Sequence, residues 1–380
     1  MKIIIAPDSF KGTLTSAEVC DVVESAFKSV ASEIKVIKLP VSDGGEGMTE
    51  AVITSSGGRR VYVNVTGPNF QTVEACYAIS DDGSTAVMEM ASASGLLLTE
   101  KGSTPDKTTT YGTGQLLLDA LDRGCKHIIL GVGGSATNDA GVGMAAALGV
   151  KFMDSFGNGI ALTGGGLADL AAIDASGLNE KLKDVSVAVA CDVDNVLYGP
   201  DGAAYIFAPQ KGADAAMVER LDQNLMHFAD VLFDFTGKRT DGIKGLGAAG
   251  GICASLLAFS NSELRRGIDI VLDYADFDNI IEDADYVITG EGRIDAQTLG
   301  GKVVGGVAAR AARKSVPVIA IGGGVLCAND ELLKFYGQGV LAVFSTAQIP
   351  ESFEELKPKC REYLYRTAES IARLITYRKP

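Results

Sequence analysis

The chain has 380 residues, 47% of them apolar and 22% charged, with a formal charge of −14. That length argues for two domains, and the acidic balance disfavours nucleic acid and anionic membrane as partners. Seven cysteines without a C-x-x-C pair fit reduced thiols in a cytoplasmic protein better than a disulfide framework or a zinc site, and two histidines leave little material for histidine-centred catalysis.

Residues 1–7 are too short and too weakly charged for a signal peptide, and no apolar run reaches the roughly 18 residues of a membrane span. Glycine is the outlier of the composition: 46 residues, in short clusters between apolar segments, predict many tight loops. In chain order, Ile3–Pro7 is expected as a buried strand. Thr15–Ala31 follows as a helix with an apolar stripe through Val19, Val22, Val23, Ala26, Phe27 and Val30. Thr15 and Glu18 have capping-box spacing, with Leu14 and Val19 as a hydrophobic staple. Glu33–Leu39 is a second strand, and "PVSDGGEG" leads into a helix near Met48–Ser55.

The middle of the chain reads differently. "RRVYVNVTGP", "TVEACYAISDDGSTAVMEMA" and "VKFMDSFGN" have the look of antiparallel pieces, and helices are predicted at Gly114–Arg123, Gly141–Leu148 and Ala216–Phe233. The last segment returns to strand–loop–helix: a strand at Tyr286–Thr289, a helix at Val303–Lys314, "VPVIAIGGG" as strand and loop, a short helix at Asp330–Phe335, the strand "GVLAVFST", and one long helix over Glu351–Tyr377. Two strands at the start and three at the end make a parallel five-stranded, flavodoxin-like sheet of order 2-1-3-4-5, interrupted by a second, inserted α/β domain with a mixed sheet. The expected domains are 1–60 together with 284–380, and 61–283; one continuous large sheet is the competing reading.

Ligands of open parallel sheets sit beyond the C-terminal strand ends. Five stretches fall there. Asp8, Ser9 and Lys11 follow the first strand; taken alone, they also fit a capped turn with solvated charges. In "VSDGGEG" the glycines allow close backbone approach, and Asp43 and Glu46 suit a cation or substrate hydroxyls, or else a helix cap. "ILGVGGSATNDAGVGM" is a strand, a glycine turn and a small-residue helix. Gly133, Gly134, Ser135, Thr137 and Asn138 there offer backbone and side-chain donors to phosphate, although the loop is neither a Walker A motif nor a dinucleotide fingerprint. In "VAVACDVDN", Asp192 and Asp194 would share one face of a strand, as suits magnesium or a proton-accepting base; an Asx turn is the plain alternative. Gln210 and Lys211 add polar groups in a Pro-Gly turn. "GEGRIDAQTLGGK" packs Glu291, Arg293, Asp295, Gln297, Thr298 and Lys302 into a loop leading to a helix, too dense a charge set for folding alone.

Together, "APDSFKGTLTS", "PVSDGGEG", "YGTGQLLLDAL", "GVGGSATNDAGVGM", "CDVDN", "GPDGAAYIFAPQKGA", "GAAGG" and "ITGEGRIDAQTLGGK" resemble the bacterial glycerate kinase family, with Val196 where the family often has proline. The resemblance implies phosphoryl transfer from ATP to D-glycerate with Mg2+, in a cleft between two α/β domains, and 2-phosphoglycerate as the favoured product. On that footing Lys11 and Arg293 are expected on the glycerate carboxylate or the moving phosphate, and Asp192 as base or magnesium ligand. Asp8, Ser9, Asp43, Glu46 and Glu291 are assigned to substrate. Gly133, Gly134, Ser135, Thr137, Asn138, Lys211 and Lys302 are assigned to phosphate or nucleotide, and Asp194 and Asp295 to metal. A homodimer is the candidate assembly. Two rivals are a nicotinamide-dependent dehydrogenase, against which the missing G-x-G-x-x-G counts, and a non-catalytic hinged sugar-acid binder, which has no need of paired carboxylates.

Overall fold

The computed structural model describes residues 1–377 apart from 43, 45, 46, 241, 297 and 299–301, and side chains are not described at 51 and 54–56. The chain divides into two compact units: Met1–Asp43 with Glu50–Gly57 and Arg266–Pro380, and Gly44–Thr49 with Gly58–Arg265. No helix among the described residues is long and apolar enough to cross a membrane.

The first unit holds a five-stranded parallel sheet. Lys2–Ile5 lies between Lys35–Lys38 and Tyr286–Ile294, which is followed outward by Val318–Val325 and Val340–Ser345. The expected order 2-1-3-4-5 is therefore found. Side chains alternate across the sheet, so Ile3 and Ile5 join one core together with Val19, Val23, Phe27, Leu364 and Ile371 of the helices Ser16–Val30 and Cys360–Thr376. Thr15 starts its helix as expected: Glu18 N–H donates to Thr15 Oγ1 at 3.2 Å and Thr15 N–H to Glu18 Oε2 at 2.9 Å.

Two expectations fail here. The third strand does not stop at Thr289 but runs on to Ile294, paired with Val318–Val325 through Arg293↔Gly324 and Ile294↔Val325. Glycine permits this extension, since a Cβ on Gly323 would lie 2.4 Å from Gly292 O. The long terminal helix is broken into Phe353–Leu356, a 3-10 turn at Lys357–Lys359, and Cys360–Thr376. Pro358 lies in that turn, and its missing N–H and its ring do not fit a continuous α-helix.

The second unit holds a six-stranded mixed sheet in the order Asn261–Arg265, Ser186–Ala190, His127–Gly131, Thr85–Glu89, Thr72–Ile79, Arg59–Thr66. The first four strands are parallel and the last two antiparallel. A small antiparallel pair, Lys151–Met153 with Ala172–Asp174, accompanies it. Its core gathers Tyr77, Met88, Leu130, Val189 and Phe228, the last from the long helix Ala215–Thr236. Glu89, Gly131, Ala190 and Arg265 stand in one register row, so four strands end along the same edge.

Candidate active site

In the first unit, the loop after Lys2–Ile5 meets the far half of the strand Tyr286–Ile294. Asp8 N–H donates to Gly290 O at 2.8 Å, and a Cβ on Gly292 would lie 3.1 Å from Lys11 N. Phe10 and Leu14 are buried and bonded to each other in both directions, at 2.8 and 3.0 Å, which closes a tight turn. Gly12, at φ 81°, makes that turn, and Lys11 is exposed on it. The residue types are thus explained locally: two apolar anchors, one left-handed glycine, and a cation presented to solvent. Asp8 Oδ1 accepts from Ser9 N–H at 2.6 Å.

Glu291 and Arg293 are carried on the strand rather than in a loop, one register step either side of Gly292. Glu291 is buried, whereas the Arg293 head is exposed and reaches Asp295 Oδ2 at 2.9 Å. Asp295 N–H donates to Thr298 Oγ1 at 3.1 Å, and Lys302 stands at the start of the helix Val303–Arg313. Lys11 and Arg293 are therefore brought to one sheet end, as the sequence predicts. Asp43, Glu46 and Gln297 lie outside the described residues.

In the second unit the candidate loops leave the strand edge marked by the row Glu89–Gly131–Ala190–Arg265. Gly133–Asn138 leaves one strand and Asp192 leaves its neighbour. The strand ends at Ala190, so Asp192 and Asp194 sit beyond it and the same-face argument from strand periodicity does not apply. Asp192 is exposed, and Asp194 pairs with Lys244 at 2.7 Å on the surface.

The glycine loop has a distinct build. Gly133 and Gly134 are exposed at its mouth; Gly134, at φ 71°, would bring a Cβ to 3.2 Å from Ala91 Cβ. The loop is fastened to Ser94–Leu96 through Leu96 N–H to Gly134 O and Ala136 N–H to Ser94 O, both 2.9 Å. Beneath it lies Lys211, 4% exposed, whose Nζ donates to Ser135 Oγ at 2.8 Å and to Thr137 O at 2.7 Å. Because Ser135 Oγ accepts from the ammonium, its own proton is free to be donated elsewhere. Burial lowers the Lys211 pKa to about 7, opposed by the charge of Asp139.

Thr137 and Asn138 are fully buried, at the inner end of the loop rather than at its mouth. Their Oγ1, Oδ1 and Nδ2 find no hydrogen-bond partner among the described residues. Buried polar atoms that the protein leaves unpaired are completed by water or by a ligand. Sequence reasoning missed Asp139, the next residue, whose carboxylate accepts four hydrogen bonds. It also missed Glu89 at the strand edge, which accepts from Thr49 N–H at 2.9 Å. Asp139 lay inside a quoted motif; only its burial marks it.

No group of three or more His, Cys, Asp or Glu among the described residues is placed to hold a metal ion. Asp194 and Asp295 are each engaged by a cation, Lys244 and Arg293. The described residues do not fit a protein-built magnesium cage.

The family model described as "Glycerate kinase family" matches residues 3–376. The chain is 47% identical over 380 residues to the glycerate kinase of Bacillus subtilis (strain 168), covering 100% of this chain and 99% of that one. It is 44% identical over 373 residues to the glycerate 2-kinase of Escherichia coli (strain K12), covering 98% and 97%. The crystal structure of a protein assigned as glycerate kinase 2 from Salmonella typhimurium LT2 superposes with a TM-score of 0.89 at 45% identity, over 99% of this chain and 98% of that one.

Proposed function

The chain belongs to the glycerate kinase family and is a glycerate kinase; from that premise we propose that it transfers the γ-phosphoryl group of ATP to D-glycerate in the cytoplasm, with 2-phosphoglycerate as product. The family match over residues 3–376 is the observation that carries this reading. ATP enters as its magnesium complex, and the metal arrives as part of that substrate.

Phosphoryl transfer requires positioning and charge neutralisation more than covalent help from the protein. In the first unit, Lys11 and Arg293 take the glycerate carboxylate, with Asp8, Ser9 and buried Glu291 accepting or donating at its hydroxyls. In the second unit, Gly133, Gly134 and the Ser135 hydroxyl take phosphate oxygens above the Lys211 ammonium. Lys302 adds a cation for the nucleotide. Asp192 accepts the proton of the attacking hydroxyl, leaving the oxygen free to bond to the γ-phosphorus as the bond to ADP breaks.

Incubation with D-glycerate and MgATP, followed by phosphorus NMR of the product and a coupled ADP assay, tests the proposal. A phosphomonoester resonance split by the proton on C2 supports it. Coupling to the two C3 protons would replace 2-phosphoglycerate by 3-phosphoglycerate, and ADP formation independent of glycerate would remove glycerate as the acceptor.

A further inference from the structure

The strand–loop–helix over residues 129–147 has the outline of an anion site at a helix start, but the chain fills that position itself. Asp139 is fully buried. Its Oδ2 accepts from Thr110 N–H at 2.9 Å, from Thr110 Oγ1 at 2.8 Å and from Gly143 N–H at 3.3 Å, while Oδ1 accepts from Gly141 N–H at 3.1 Å. Thr110 stands at the N-cap of the helix Tyr111–Asp122, and Gly141 at that of Val142–Ala147. One carboxylate thus joins two helix starts. The Thr110 hydroxyl extends the network by accepting from Met144 N–H at 2.9 Å.

The residues immediately before Asp139 form the glycine loop, so these bonds anchor the loop's last residues, Thr137 and Asn138, at their C-terminal side. Lys211 lies under the same loop, tied to Ser135 and Thr137. Among the described residues, Asp139 is the one charged group whose field acts on the Lys211 ammonium.

We infer that Asp139 is a positioning residue for the phosphoryl donor: by joining two helix starts it fixes the Gly133–Asn138 loop. Its charge also opposes the loss of the Lys211 proton that burial favours. This rests on the reading of the loop as the seat of the nucleotide phosphates. In a chain of charge −14 the local positive field has to be built, and a buried lysine loses its proton readily unless a carboxylate opposes the loss.

The test is equilibrium binding of a non-hydrolysable ATP analogue by calorimetry between pH 6 and 9, in buffers of differing ionisation enthalpy. Asp139→Asn keeps the shape, removes the charge and turns an N–H2 toward backbone donors. We expect affinity for the analogue to fall about tenfold or more, and its alkaline limb to move to lower pH. The glycerate KM should stay within about threefold, as expected when one substrate's subsite is left intact. Thr110→Val removes one donor and leaves the carboxylate; it should weaken the analogue without moving the limb. If Asp139→Asn folds and shows the wild-type limb and affinity, the inference is wrong. Should that variant not fold, unchanged affinity in Thr110→Val overturns the positioning claim. Ser135→Ala separates the two levels: unchanged analogue binding there sinks the reading of the loop, whereas a loss there with normal Asp139→Asn sinks only the role of Asp139.

Discussion

Lys211→Met offers a test of the buried ammonium that does not depend on catalysis. In the folded chain Lys211 is held down to about pKa 7 by burial, against 10.5 when exposed. Between those values the unfolded chain binds more protons than the folded one, so this group's contribution to stability rises with pH. Below pH 7 the burial penalty is present in full, and it fades as pH climbs toward 10.5. Integrating the linkage between pH 7 and pH 9 gives a gain of about 2 kcal/mol for the wild type. The same interval deprotonates cysteines in the unfolded chain, while burial raises Cys20 and Cys125, and a hydrogen bond with Cys191 together with burial raises Cys253, in the folded one; that destabilises wild type and variant alike. The informative quantity is therefore the difference between the two proteins. Guanidinium unfolding at pH 7, 8 and 9, followed by far-UV circular dichroism because the chain has no tryptophan, measures it. Wild-type stability minus variant stability should grow by about 2 kcal/mol across the interval. Parallel pH curves would show that Lys211 is not perturbed and that the field beneath the loop has been misjudged.

Asp192→Asn should lower turnover at least about a hundredfold with the fold intact, the low end for losing a positioned base; near-normal steady-state turnover removes Asp192 from the chemistry. Lys11→Ala should raise the glycerate KM about tenfold or more, the range for losing one charge-assisted hydrogen bond, and unchanged kinetics would refute its assignment. Gly143→Ala places a methyl 2.3 Å from Thr109 Oγ1 and 3.0 Å from Asp139 Oδ2. It should destabilise the second unit by about 1–3 kcal/mol and weaken nucleotide binding; a wild-type melting curve would contradict the close packing around Asp139.

Local chemistry made much of the fold legible. The Thr15–Glu18 box, the apolar stripe behind it and the alternating strands 59–89 each carry their signal within a few residues, and the structure has them where expected. The failures share a cause. Glu291 and Arg293 read as loop because glycines surround them, yet Val318–Val325 pairs with that stretch and makes it strand. The single helix expected over Glu351–Tyr377 leaves Pro358 out of account, and it is there that the 3-10 turn Lys357–Lys359 interrupts it.

For the site, the sequence by itself fixed which residue types stand at strand ends: Lys11, Arg293, Ser135 and Asp192 all lie just past apolar runs, and periodicity marks those runs. Only tertiary structure decided which of them are exposed and which are enclosed. Lys211 and Asp139 look like ordinary surface charges in one dimension. They become buried, Lys211 bonded to Ser135 and Thr137 and Asp139 to Thr110, Gly141 and Gly143, because segments distant in the chain close over them. Burial depends on contacts distant in sequence, and desolvation, which sets how strongly a charge acts, follows burial.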